Sequence, residues 1–281
     1  MNGVRGKELI DISNKLQLPK IQPATAEKYL NRLKVFYDWL VGQGLIKSNP
    51  FNGLKPKKRN KKTINERKAY TEQHINMILS KNDFNEKNIE YRWWIILIAI
   101  EMGLRQNEIS QLYKDDVVKE DGIWCIKIQE KREDQRIKNI FSERTVPIPN
   151  SLLKLGILKY INSKSSRIFP ELKYYEDDGY AKLFSKWFSY NKKKWGFNEG
   201  YTFHSFRHYF VNKLKQSQIE ESIVSEIVGH EHVSHTYGRY GKEYSIKKLK
   251  KIIDNNSSIS IKKILTKRKI NKLRTMIRFG L

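Results

Sequence analysis

Between Gly229 and Gly241 the chain reads GHEHVSHTYGRYG, placing His230, His232, His235, Tyr237 and Tyr240 within thirteen residues. Clustered imidazoles could ligate zinc, and a tyrosine hydroxyl could attack an electrophile such as phosphorus. Helical zinc sites favour histidines at i and i+4, a spacing this stretch does not offer. What these side chains do depends on groups elsewhere in the chain.

Two other stretches carry matching chemistry. In GLRQNEISQL, Gly103 to Leu112, Arg105 and Glu108 are three residues apart and would pair on one turn of helix. Arg105 directly follows an apolar run, so its guanidinium sits where an anion is welcome, and Glu108 can orient it. In TFHSFRHYF, Thr202 to Phe210, His204 and Arg207 share the same spacing, with Phe203, Phe206 and Phe210 facing a core. Two arginines can clamp a phosphodiester and stabilise charge growing on its oxygens. A tyrosine could then attack phosphorus and hold the bond as a covalent phosphotyrosine. That chemistry needs no metal and no cofactor.

Helices must position most of these groups. A helix is predicted over 25–41, capped by Thr25, with Tyr29, Leu33, Phe36 and Leu40 inward. Gly, Asn and Pro then stop it, and the basic run Lys55 to Lys68 reads as a linker. Thr71 should cap a second helix that buries Ile75, Ile78 and Leu79. The run WWIILIAIEMGL, Trp93 to Leu104, is too short to span a bilayer and reads as a buried helix. From Gly122 to Pro149 the strand-prone IWCIKI and RTVPIP flank a long basic connection, which predicts a small antiparallel sheet. The remainder is mainly helical, down to a basic tail whose apolar residues suit an amphipathic helix.

Composition narrows the partner. The 281 residues carry 55 Lys and Arg against 30 Asp and Glu, a formal charge of +25. Such an imbalance opposes compaction unless an anion is bound, and nucleic acid is the common one. Cys125, alone, excludes an internal disulfide and a multi-cysteine zinc site. The opening MNGVRGKELIDISNKL lacks the apolar core of a secretory signal, so a soluble, cytoplasmic chain with no membrane role is expected.

The three motifs, in this order, resemble those of the tyrosine recombinase (phage integrase) family. The resemblance spans residues 25 to about 254. It implies a mainly α fold with a small antiparallel β-sheet (α+β): a catalytic domain of the DNA breaking-rejoining fold over 69–255, preceded by a short helical core-binding domain. That domain would occupy 1–54, with the basic linker over 55–68 and the tail over 256–281. Carried over, Arg105 and Arg207 match the phosphate-clamping arginines, and Glu108 the acid supporting the first. His204 matches the general acid/base and His230 the second histidine that hydrogen-bonds the phosphate. Tyr240, in GRYGK, matches the nucleophile; the interval from His230 is one residue longer than usual, which leaves Tyr237 as an alternative. Lys138, before the strand in ERTVPIP, matches the catalytic lysine, with Lys131 behind it. The implied partners are double-stranded DNA, further copies of the chain in a tetramer on paired sites, and an accessory DNA-bending protein. The implied setting is a bacterial host's nucleoid, serving a phage or mobile element. The rival is a basic DNA-binding protein of the same fold without turnover.

Overall fold

A computed structural model describes residues 6–19, 21–55, 68–80, 90–230 and 244–258. The chain divides into two units, Met1–Ile64 and Asn65–Leu281.

The first unit contains α1 (Gly6–Lys15) and α2 (Pro23–Gly42). Helix α2 starts two residues before the expected point: Gln22 is its N-cap and Pro23 its first residue, so Thr25 lies inside the first turn. Proline presets the helical φ and lacks an N–H that would be unpaired there anyway. Tyr29, Leu33 and Phe36, expected inward, are exposed at 53%, 42% and 52%. Among the described residues of this unit, two helices supply too little chain to cover that face. Beyond α2, Asn49 donates to the Lys34 carbonyl at 3.0 Å and the Asp38 carboxylate at 2.7 Å, pinning the returning segment.

The second unit holds the hydrophobic core. Thr71 Oγ1 accepts the His74 N–H and caps α3 (Glu72–Ser80), which buries Ile75, Ile78 and Leu79 as expected. Helix α4 (Glu90–Met102) is buried from Trp93 to Met102 and packs on α9 (His204–Gln216). A helix apolar all round belongs in the middle of a core. The chain leaves α4 through Gly103, at φ 64°, where a Cβ would come within 2.5 Å of the Phe210 ring. Glycine is required there on both counts.

Between them run α5 (Gln106–Ser110) and the sheet, whose strands β1 (Val117–Glu120), β2 (Ile123–Ile128) and β3 (Arg144–Pro147) pair antiparallel in sequence order. Ile126 sits opposite Val117 on one side and Val146 on the other. β1 was not foreseen, because VVKE is short and ends in charge. Then come α6 (Asn150–Leu155), α7 (Ile157–Asn162), α8 (Ala181–Lys194), α10 (Glu221–Val228) and α11 (Ile246–Asn255). Helices α10 and α11 both pack on β3, so the helix preceding the histidine-rich stretch leans on the sheet. Phe203, Phe206 and Phe210 are buried as expected.

Candidate active site

Arg105 is the N-cap of α5, immediately after the Gly103 turn. The Glu108 carboxylate accepts the Arg105 main-chain N–H at 2.8 Å and its Nη1 at 2.5 Å. Arg207 projects from α9 and is 2% exposed. It donates to the carbonyl of Gly103 at 3.0 Å and to that of Val228. The i, i+3 pairing of Arg105 with Glu108 is thus observed, and Gly103 joins it to Arg207.

The end of α10 collects these groups. Gly229, at φ 67°, terminates the helix in the left-handed region, and the His230 N–H returns to the Ser225 carbonyl at 2.9 Å. A helix end of this kind leaves its last carbonyls without helical partners. Three arginines from three separate segments supply them. Arg144 Nε donates to Ile227 O at 2.8 Å, Arg207 to Val228 O, and Arg105 Nη2 to Gly229 O at 2.9 Å.

Arg144 is the residue that sequence reasoning missed. It opens β3 and is 8% exposed, and its guanidinium meets Glu108 at 2.9 Å and 3.3 Å. The signal was present: Arg144 and Val146 alternate with Thr145, which places an arginine on the buried face of the strand. Gly229 has no side chain to obstruct it; a Cβ there would lie 2.6 Å from Arg144 Nη1.

The electrostatics follow from this crowding. Burial raises the Glu108 pKa, but Arg144 and then Arg105 outweigh it and hold the carboxyl at about 2. Burial, with Arg105 and Arg144 nearby and Glu108 opposing them, pulls Arg207 down to about 9, still charged at neutral pH. For His230, partial desolvation and then Arg207, Arg105, Arg144 and Lys138 lower the pKa to about 4, so its ring is neutral at pH 7. One carboxylate among three guanidiniums leaves an excess of buried positive charge. Such charge favours binding of an anion.

Lys138 lies close enough to act on His230 through its charge. Its segment is tied to Arg105: Ser142 Oγ accepts from Arg105 Nη1 at 3.2 Å and donates to Asn139 at 2.9 Å. Lys131, by contrast, pairs with Asp115 at 2.9 Å. His204 heads α9, its ring 4.8 Å from that of His208. It lines a cleft of about 320 Å³ with Gln106, Ser185, Lys192 and Thr202. Tyr240, Tyr237, His232 and His235 lie outside the described residues. Among the described residues, no group of His, Cys, Asp and Glu could hold a metal ion.

Residues 68–245, more than half of the chain, match the model of the Phage integrase family. The chain belongs to the phage integrase family. Its class is that of the tyrosine-type site-specific recombinases. It is 24% identical over 282 residues to a "Probable integrase/recombinase" of Aquifex aeolicus, covering 88% of this chain and 85% of the relative. A tyrosine recombinase of Thermosipho africanus is 22% identical, over 75% of this chain and 69% of its own. Among solved structures, the Tn1549 transposon integrase in complex with a circular intermediate DNA aligns with a TM-score of 0.57 at 17% identity, over 85% and 81% of the two chains. A lambda integrase dimer bound to a COC′ core site aligns at 0.53 and 17%, over 82% and 90%. These likenesses establish the fold, a mainly α tyrosine recombinase catalytic domain with one small antiparallel sheet. Among the described residues, no helix of this integrase-family chain is long and apolar enough to cross a membrane.

Proposed function

We propose that the chain cuts and rejoins double-stranded DNA at specific sites through a covalent 3′-phosphotyrosine, in the integration or excision of a phage or mobile element. The observation that carries this is the buried excess of positive charge where Arg105 and Arg207 meet beside His230. A phosphodiester is the anion that a +25 chain of this family would place there.

In this reading Arg105 and Arg207 hold the non-bridging oxygens of the scissile phosphate, and neutral His230 donates a further hydrogen bond. Tyr240 loses its proton to His204 as its oxygen bonds phosphorus. The bond from phosphorus to the 5′ oxygen breaks, and Lys138 protonates that oxygen. Rejoining reverses the steps with a 5′ hydroxyl as nucleophile. Glu108 orients Arg105 throughout. Residues 1–54 act as a core-binding domain and 55–68 as a basic linker. Residues 69–255 are the catalytic domain, and four copies assemble on paired sites.

The test begins by selecting bound duplexes from a randomised library with the wild-type protein. A nicked suicide version of the selected site should trap a covalent adduct. Tyr240→Phe should bind that site and form none, while Tyr237→Phe still forms it. Reversal of the two would move the nucleophile to Tyr237. Binding by the wild type with no adduct would instead favour a DNA-binding protein without turnover.

A further inference from the structure

Arg144 has no part in the chemistry just described, yet it is the most heavily bonded arginine of the site. Its Nε donates to Ile227 O at 2.8 Å, Nη1 to Ser142 O at 2.6 Å and Glu108 at 3.3 Å, and Nη2 to Glu108 at 2.9 Å. Four of the five N–H groups of a guanidinium are thereby committed to protein acceptors. Its side chain is 5% exposed, against 19% for Arg105. Arg144 is therefore not a phosphate ligand. Its contacts go to the groups that place the phosphate ligands.

We propose that Arg144 is a positioning residue of strand cleavage, acting through Glu108 and through the end of α10. The proposal rests on the function argued above. Glu108 lies between two guanidiniums, so its negative charge is shared. Without Arg144 that charge falls on Arg105 alone, and the field offered to a phosphate shrinks by one positive charge. The second route is geometric. Arg144 holds Ile227 O while Arg207 and Arg105 hold the next two carbonyls, so one side chain sets the helix end against which both clamping arginines are aligned. His230 follows directly, and displacement of about 1 Å at such a site can cost 10²-fold in rate. A lysine could keep the charge but not the fork that reaches Glu108 and Ile227 together.

The experiment measures single-turnover adduct formation on the nicked selected site, from pH 5 to 9, with the full chain. Arg144→Met should lower the rate by about 100-fold while affinity for the site changes by less than about threefold. Its rate should also fall toward acid pH well above the wild-type limb, because Glu108, faced by Arg105 and Arg144 and with Arg207 nearby, has lost one of its cations. Arg144→Lys should recover about tenfold of that loss. In a Glu108→Gln background, Arg144→Met should cost clearly less than its loss of about 100-fold in the wild type, since the route through Glu108 is already gone and only the hold on Ile227 O remains. If Arg144→Met does not fold, Arg144→Lys carries the test through a rate about tenfold below wild type at unchanged affinity for the site, and a rate within about threefold of wild type overturns the inference. The inference is overturned if Arg144→Met cleaves within about threefold of wild type. It is equally overturned if the loss is uniform across pH and multiplies with that of Glu108→Gln. A wild-type protein that forms no adduct sinks the function reading, and this inference with it.

Discussion

The guanidinium of Arg105 donates to the main-chain carbonyl of Gly229 at 2.9 Å, across 124 residues of sequence. The bond joins the segment after the core helix to the segment that carries His230 and leads toward Tyr240. Displacing either end should disturb the other, and the first prediction tests this.

Gly229→Ala should destabilise the protein and disable cleavage. The left-handed conformation at φ 67° costs an L-residue about 1–2 kcal/mol, and the new Cβ would also press on Arg144 Nη1. Urea unfolding should show at least that loss, and adduct formation should fall by about 10²-fold. Wild-type stability in this variant would mean that the helix does not end as described.

Glu108→Gln should cost stability in a pH-dependent way. Burial raises the pKa, but Arg144 and Arg105 lower it further, from 4.5 to about 2. A depressed carboxylate pKa stabilises the fold fully above the unfolded value, and the gain fades as pH falls toward the folded one. The variant should therefore lose roughly 3 kcal/mol at pH 7, and the gap should narrow below pH of about 4. Urea melts at pH 3, 5 and 7 measure it. A gap independent of pH would show that the charge is not what stabilises.

The His230 ring should titrate near 4 rather than the ordinary 6.5. Partial desolvation is the first cause, and the positive field of Arg207, Arg105, Arg144 and Lys138 follows. For a histidine, this shift means that the unfolded chain takes the proton first, so His230 opposes folding increasingly as pH drops below 6.5 toward 4. A ring-proton NMR titration gives the midpoint directly. A value near 6.5 would place the imidazole outside the arginines' field.

Lys138→Ala should slow cleavage by roughly 10²–10⁴ with little change in binding. A substrate with sulfur at the bridging 5′ position leaves without that proton and should restore the rate. Lys131→Ala should need no such rescue, because Lys131 is engaged with Asp115. Rescue of Lys131→Ala instead would transfer the acid to that residue.

Cleavage should persist in excess EDTA, because Arg105, Arg207 and Lys138 supply the positive charge at the phosphate. Activity lost on chelation and restored by zinc would return the histidines of GHEHVSH to the role of metal ligands.

Local pattern made much of this protein legible. Helical spacing alone paired Arg105 with Glu108, set His204 beside Arg207, turned three phenylalanines inward and marked the Trp93 helix as buried. Each of those relations is settled within one or two turns of chain, where the period of 3.6 dictates which side chains are neighbours. The N-cap of α2 and strand β1 were misread or missed because proline's fixed φ and cross-strand pairing outweighed the local signals. The exposed face of α2 shows the same limit from the other side: periodicity says which residues share a face, not whether anything covers it. Arg144 belongs to tertiary structure entirely. Its partners Glu108 and Ile227 stand 36 and 83 residues away, and only tertiary packing, that of β3 against α10 included, brings them within reach. The residue types that can hold a phosphate were written in the sequence, but the excess of positive charge was decided by which buried carboxylate each arginine found. That depends on distances between segments, which no spacing along the chain encodes.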